Sequence, residues 1–169
     1  MRILTDIIII GVIVITAVFV YQHYWDGFKT AIFGDEPKYS IYLGSVALSV
    51  TVADTDPTRI QGLSGVTKLK DLEGKLFIFD GDHKYGIWMK DMLFPIDIIW
   101  VNKNLQIVHI EENVGPDTYP KQFYPPVDAR FVVEVNAHFV SSLKIKEGDR
   151  LTLPSSLIPY DIKRDLQLQ

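Results

Sequence analysis

The sequence predicts a mainly β domain of the α+β kind. It reads as a small antiparallel β-barrel or sandwich with one or two short helices, preceded by a single N-terminal transmembrane helix. Three observations predict this. Apolar residues come in short runs that alternate with polar ones, as in Val46-Ala47-Leu48-Ser49-Val50-Thr51-Val52. Glycine, proline and asparagine turns separate those runs. The first segment, Ile7 to Trp25, carries no charged side chain over 19 residues and is flanked by Asp6 and Asp26.

Taken in order, residues 1–26 read as a transmembrane anchor or signal-anchor, 27–38 as a tether, 39–153 as the β domain and 154–169 as a C-terminal tail. The uncharged run would span about 28 Å as a helix, against a hydrocarbon core of ~30 Å. Tyr21, Tyr24 and Trp25 at its end suit an aromatic belt. A cleaved signal would need a small-x-small site, and Thr16-Ala17-Val18 is a poor one. Arg2 precedes the span, while Asp26, Lys29, Asp35 and Glu36 follow it, so the positive-inside rule favours a domain on the extracytoplasmic side.

Within the domain, Tyr39–Leu43 and Val46–Val52 form an expected hairpin across Gly44-Ser45. Asp56-Pro57 starts a short helix, closed by Gly62 or Gly65. Leu76–Phe79 is a buried strand, followed by an expected turn at Asp80–His83. Gly86–Val101 is strand at both ends with a turn at Phe94-Pro95, because proline restricts its predecessor and cannot donate to a ladder. Asn102-Lys103-Asn104 turns the chain into Leu105–Glu111, a second hairpin. Asn113–Asp128 is a long loop with four prolines. Phe131, Val133 and Val135 share one face of the next strand; Arg130, Val132 and Glu134 share the other. Ala137–Leu143 allows one helical turn, Arg150–Leu153 a last strand, and Pro154–Gln169 a loosely packed tail.

Composition narrows the functional classes. The net charge is −4, and the 17 basic residues form no run, so nucleic acid is not an expected partner. With no cysteine, disulfides, thiolate nucleophiles and cysteine metal sites are excluded. His23, His83, His109 and His138 share no ligand spacing, and Asp80 with Asp82 is only a fragment of a calcium loop. No metal and no cofactor are therefore expected. Walker, dinucleotide and Gly-x-Ser-x-Gly motifs are absent, and Ser64 lacks a nearby base.

Lys90 and Asp97 are polar members of an apolar stretch. Asp97 alternates in phase with Ile99 and Val101, so a buried face would oblige it to find a partner; Arg59, Lys90 and Arg130 are candidates. Two arrangements are open for Lys90, Asp97, Arg130 and Glu134: a buried ion-pair network, or a polar cluster converging on a ligand. Asp97 and Glu134 could also form the carboxylate pair of a hydrolase. Trp88, Trp100, Tyr119, Phe123 and Tyr124 are either core and loop packing or a platform for a sugar ring or apolar peptide.

A series of motifs adds to this: Arg59-x-x-Gly62-Leu63, Phe77-x-Phe79, Trp88-Met89-Lys90 with Pro95-Ile96-Asp97-Ile98, Ile107-Val108, Tyr124-Pro125, Ala129–Val135, and Ile145-Lys146-x-Gly148-Asp149. In this order, over Tyr42 to Leu153, the chain resembles the DUF192 (UPF0127) family. The resemblance implies a compact β-rich domain, often exported behind a signal or anchor, with no established reaction. Its matching polar positions are Arg59, Lys90, Asp97, Arg130 and Glu134. Similar sequences often carry Met at position 64, Asn-Thr at 91–92, and cysteines before the Tyr-Pro motif; this chain has Ser64, Asp91-Met92 and no cysteine.

The expected function is a membrane-tethered, extracytoplasmic binding or accessory domain. It would be held through residues 7–25, with Arg59, Trp88, Lys90, Asp97, Arg130 and Glu134 as candidate site residues. A glycan or an envelope protein is the expected ligand. The alternatives are an envelope hydrolase using Asp97 or Glu134 with Lys90, and a passive assembly module.

Overall fold

The structure is a computed structural model that describes residues 14–18, 20–21 and 36–168. Residues 14–18 and 20–21 are helical. Among the described residues no helix is long and apolar enough to cross a membrane; most of the expected 7–25 span and of the 27–38 tether lies outside them. The chain divides into two compact units, Met1–Glu36 and Pro37–Gln169, and the second is the β domain.

Nine strands form it: β1 (Tyr39–Leu43), β2 (Val46–Ala53), β3 (Glu73–His83), β4 (Ile87–Trp88), β5 (Ile96–Val101), β6 (Ile107–Val114), β7 (Gln122–Phe123), β8 (Ala129–Asn136) and β9 (Leu151–Thr152). Seven make one sheet in the order β6-β5-β8-β3-β2-β1-β9; β4 and β7 pair separately. Three short helices accompany them: α1 (Asp56–Gln61), α2 (Phe139–Leu143) and α3 (Tyr160–Asp165).

Both expected hairpins form. Leu43 pairs with Val46 around Gly44, whose φ of 59° is the left-handed value the tight turn needs, and Val101 pairs with Ile107. The sheet curls into a half-barrel whose ends touch. Gln106 bridges Arg150, and the Leu151 amide donates to the Leu105 carbonyl at 2.8 Å.

Several expectations need correction. The sheet is mixed, not antiparallel, because β2 and β3 run parallel. Parallel neighbours require a crossover, and the crossover is α1 with the loop to Glu73. There are three short helices, not one or two. Asp80–His83 continues β3 instead of turning, with a register shift between Ile78 and His83. The stretch 154–169 is no loose tail: α3 buries Ile162, and Leu157, Ile158 and Leu166 pack on the core.

Side chains alternate across a sheet, and here both faces are covered. One core gathers Ile41, Leu76, Ile99, Phe131 and Val133 inside the curl. The other gathers Phe77, Ile98, Trp100 and Val132 under Leu63 and Met89 from the crossover and the central segment. β5 and most of β8 are therefore buried on both faces. The second layer is the one that builds the cleft.

Candidate functional site

The cleft begins with α1. Thr55 caps it through a reciprocal box with Thr58, Pro57 fits its first turn, and Gly62 closes it at a φ of 49°. Arg59 points from α1 onto β3. Its guanidinium donates to the carbonyls of Asp54 (2.8 Å) and Ile78 (2.7 Å) and to the carboxylates of Asp56 (2.7 Å) and Asp80 (3.2 Å). Burial acts to lower its pKa, but Asp56 and Asp80 together raise it. The guanidinium also lies 5.5 Å from the Phe79 ring centroid. Arg59 is thus the pin that fastens helix to sheet.

Opposite α1 runs β4, followed by Met89 and Lys90. Ile87 and Met89 point into the core, so Trp88 and Lys90 must point out; Trp88 is 39% exposed. The Lys90 ammonium lies 5.9 Å from the Trp88 ring centroid, and Tyr119, from the loop between β6 and β7, stands 6.0 Å from the same ring. The Ser64 hydroxyl donates to the Lys90 carbonyl at 2.8 Å, closing one end of the cleft.

Three adjoining pockets line this cleft. The innermost, of about 50 Å³, lies between Leu63, Phe77, Ile87 and Met92, with Arg59 and Glu134 in its wall. An outer one, of about 430 Å³, is bounded by Arg59, Ile60, Phe79, Tyr85 and Trp88. A third, of about 250 Å³, lies by Gln61, Ser64 and Lys90. Tyr85 stacks on Phe79 at 3.6 Å and is half-buried, which raises its phenol pKa.

Glu134 is the anomaly. It is 4% exposed, and its Oε2 has no hydrogen-bond partner among the described residues. Burial pushes its carboxyl up to about 8, against the opposing pull of Lys75, its cross-strand neighbour on β3.

Four of the six sequence-predicted site residues thus line one continuous cleft: Arg59, Trp88, Lys90 and Glu134. The other two do not. Asp97 faces the opposite core and is fully buried. Its Oδ1 accepts from the amides of Asn113 (2.8 Å) and His138 (3.2 Å), and its Oδ2 from Val140 (2.9 Å). Its partners are backbone donors, not Arg59, Lys90 or Arg130. Arg130 makes a bidentate pair with Asp161 at 2.9 and 2.8 Å and reaches Asp82 at 3.5 Å, so it fastens α3. The four charges neither form one network nor converge on one ligand.

Of the aromatic set, Trp100 is fully buried, donating to the Tyr85 carbonyl at 2.9 Å, and Phe123 is buried. Trp88, Tyr119 and Tyr124 remain exposed. Sequence reasoning missed Ile60, Phe79 and Tyr85 as cleft residues. β3 continues through Asp80–His83 past a register shift, and Tyr85 stacks on Phe79; the local sequence there reads as a turn and hides this. Among the described residues no group of His, Asp and Glu is placed to hold a metal.

A curled, mixed seven-stranded sheet with a βαβ crossover folded over one face makes this a small, mainly β domain with a surface cleft beside the crossover. The chain belongs to the DUF192 family, described as "Uncharacterized ACR", whose profile matches residues 41–153. A comparison with curated protein sequences finds no match. Similar solved structures include these two. One is a Sinorhizobium meliloti 1021 protein labelled a "putative transcription regulator", with 27% identity and a TM-score of 0.67, over 70% of this chain and 95% of that one. The other is a protein of unknown function from Novosphingobium aromaticivorans DSM 12444, with 25% identity and a TM-score of 0.61, over 68% and 82%.

Proposed function

We propose that this domain is a non-catalytic binding module that takes a carbohydrate in the cleft between α1 and β4, tethered to a membrane through residues 7–25 with the domain on the extracytoplasmic side. The observation that carries the reading is Trp88. A large apolar ring left 39% exposed beside a concave surface, with Tyr119 at 6.0 Å and the Lys90 ammonium 5.9 Å from its centroid, suits the apolar face and polar rim of a sugar.

The form of the hydrolase alternative that pairs Asp97 with Glu134 has no support from the geometry. Asp97 and Glu134 lie on opposite faces of the sheet, so they cannot flank one glycosidic bond. The regulator label of the Sinorhizobium relative has no counterpart in charge here, since 17 basic residues stand against 21 acidic ones.

The test is binding of the full chain to soluble envelope polysaccharides and their fragments, by calorimetry. Trp88→Ala is expected to weaken binding at least about tenfold, which is ~1.4 kcal/mol, without moving the melting temperature. Absence of binding to every glycan tried, or equal binding by the variant, overturns the reading. Resistance of the full chain to alkaline extraction from membranes tests the tether.

A further inference from the structure

The innermost pocket has the features of a subsite. It is small, its wall mixes Leu63, Phe77, Ile87 and Met92 with the polar Arg59, Gln61, Ser64 and Glu134, and the buried Glu134 Oε2 lacks a partner among the described residues. A buried polar atom without a hydrogen bond is costly, so structures seldom keep one without a use. Its volume of about 50 Å³ is about a third of a cavity that holds benzene, which suits a group of one or two heavy atoms.

We propose that Glu134 and this pocket form the subsite for a single uncharged hydroxyl-bearing arm, such as the hydroxymethyl group of a sugar, which exchanges hydrogen bonds with the Glu134 carboxyl. The inference deepens the carbohydrate reading and rests on it for the rest of the ligand.

Charge selects the class. Arg59 from α1 lines the same pocket, and Lys75 from β3 stands opposite Glu134 in the ladder. Both disfavour an ammonium group. The Arg59 guanidinium is already engaged by Asp56, Asp80 and the Asp54 and Ile78 carbonyls, so it is not held open for an anionic arm. β5 presents Ile98 beside Glu134, and Ile87 from β4 and Leu63 from the crossover add no charge. On its own strand Arg130 lies four residues away and is engaged by Asp161. A neutral hydroxyl, donor and acceptor at once, fits these surroundings. Held protonated by burial, Glu134 can both donate and accept; ionised, it can only accept. Affinity should therefore fall as pH rises through about 8.

The experiment uses the ¹³C-labelled full chain. Glycerol is titrated as the probe, and the Glu134 Cδ and Leu63 methyl signals are followed by NMR. A saturable shift is expected at pH 7, weaker above pH 8. Glu134→Gln, which keeps a donor and an acceptor, should bind glycerol with no such loss at high pH. Glu134→Leu, which removes both without opening a void, should weaken binding at least about tenfold. No saturable shift, or tighter binding of methylammonium than of glycerol, overturns the subsite. Glycerol binding without binding of any polysaccharide keeps the subsite and defeats the carbohydrate reading. Polysaccharide binding that Glu134→Leu leaves unchanged does the reverse.

Discussion

The Asp97 carboxylate and the Val140 amide, 43 residues apart in the chain, meet at 2.9 Å and hold α2 against the end of β5. The same carboxylate binds the amides of Asn113 and His138, both of which have left-handed backbones, at φ of 54° and 67°. A non-glycine residue there is held by its surroundings. Asp97→Ala would strip three amides of their acceptor and release both positions. At about 1–3 kcal/mol for each buried group left unsatisfied, the variant should lose at least ~3 kcal/mol in urea unfolding. Asp97→Asn, which keeps one oxygen, should lose less. A loss below about 1 kcal/mol for the alanine variant would show that Asp97 is not the anchor.

Glu134 gives the domain a pH dependence of definite sign. A carboxyl raised from 4.5 to about 8 by burial binds its proton more tightly in the folded state. Between those values the folded chain carries more protons than the unfolded one, so stability falls as pH rises from 4.5 and levels off above about 8. The slope contributed is at most about 1.4 kcal/mol per pH unit. Glu134→Gln removes the titrating group. Urea midpoints from pH 5 to pH 9 should decline more steeply for the native chain than for the variant; parallel profiles would show that the side chain is not held protonated.

Most of the fold was legible because its signals are local. The Gly44-Ser45 turn, the Thr55–Gly62 helix and the alternation of Phe131, Val133 and Val135 each rest on a few neighbouring residues. The parallel β2–β3 pair was not legible, since direction depends on where the crossover lands. The site was half legible. Exposure of Trp88 and Lys90 follows from burial of the alternating Ile87 and Met89. Asp97 was correctly placed on a buried face, yet its partners are backbone amides, which carry no residue-type signal. Glu134 and Asp97 appear alike in sequence, and only the sheet separates them.

Arg130 and Asp161 make a prediction for the C-terminal helix. The guanidinium is nearly buried, and its Nε has no partner among the described residues, so its bidentate hold on Asp161 matters. Asp161→Asn removes the charge and one acceptor. The domain should lose about 1–2 kcal/mol, and amide exchange in Tyr160–Asp165 should rise by at least about tenfold, while β5 and β8 stay protected. Unchanged exchange in α3 would mean that Ile162 docks the helix alone.

Gly74 and Gly65 separate two reasons for a glycine. Gly74 lies on β3 opposite Val135, and a Cβ there would stand 2.6 Å from the Glu134 carbonyl and 3.2 Å from a Val135 methyl. The first obstacle is backbone within a ladder, which a side-chain rotation cannot relieve. Gly65 has a φ of 76° with no atom within 4 Å of its would-be Cβ, so alanine there meets only the left-handed backbone cost of about 1–2 kcal/mol. Gly74→Ala should cost more, at least ~2–3 kcal/mol, by parting β3 from β8 beside Glu134. It should also shift the Glu134 Cδ signal, which Gly65→Ala should leave in place. Equal stability losses with an undisturbed Glu134 signal would show that β3 can yield at Gly74 without opening the pocket wall.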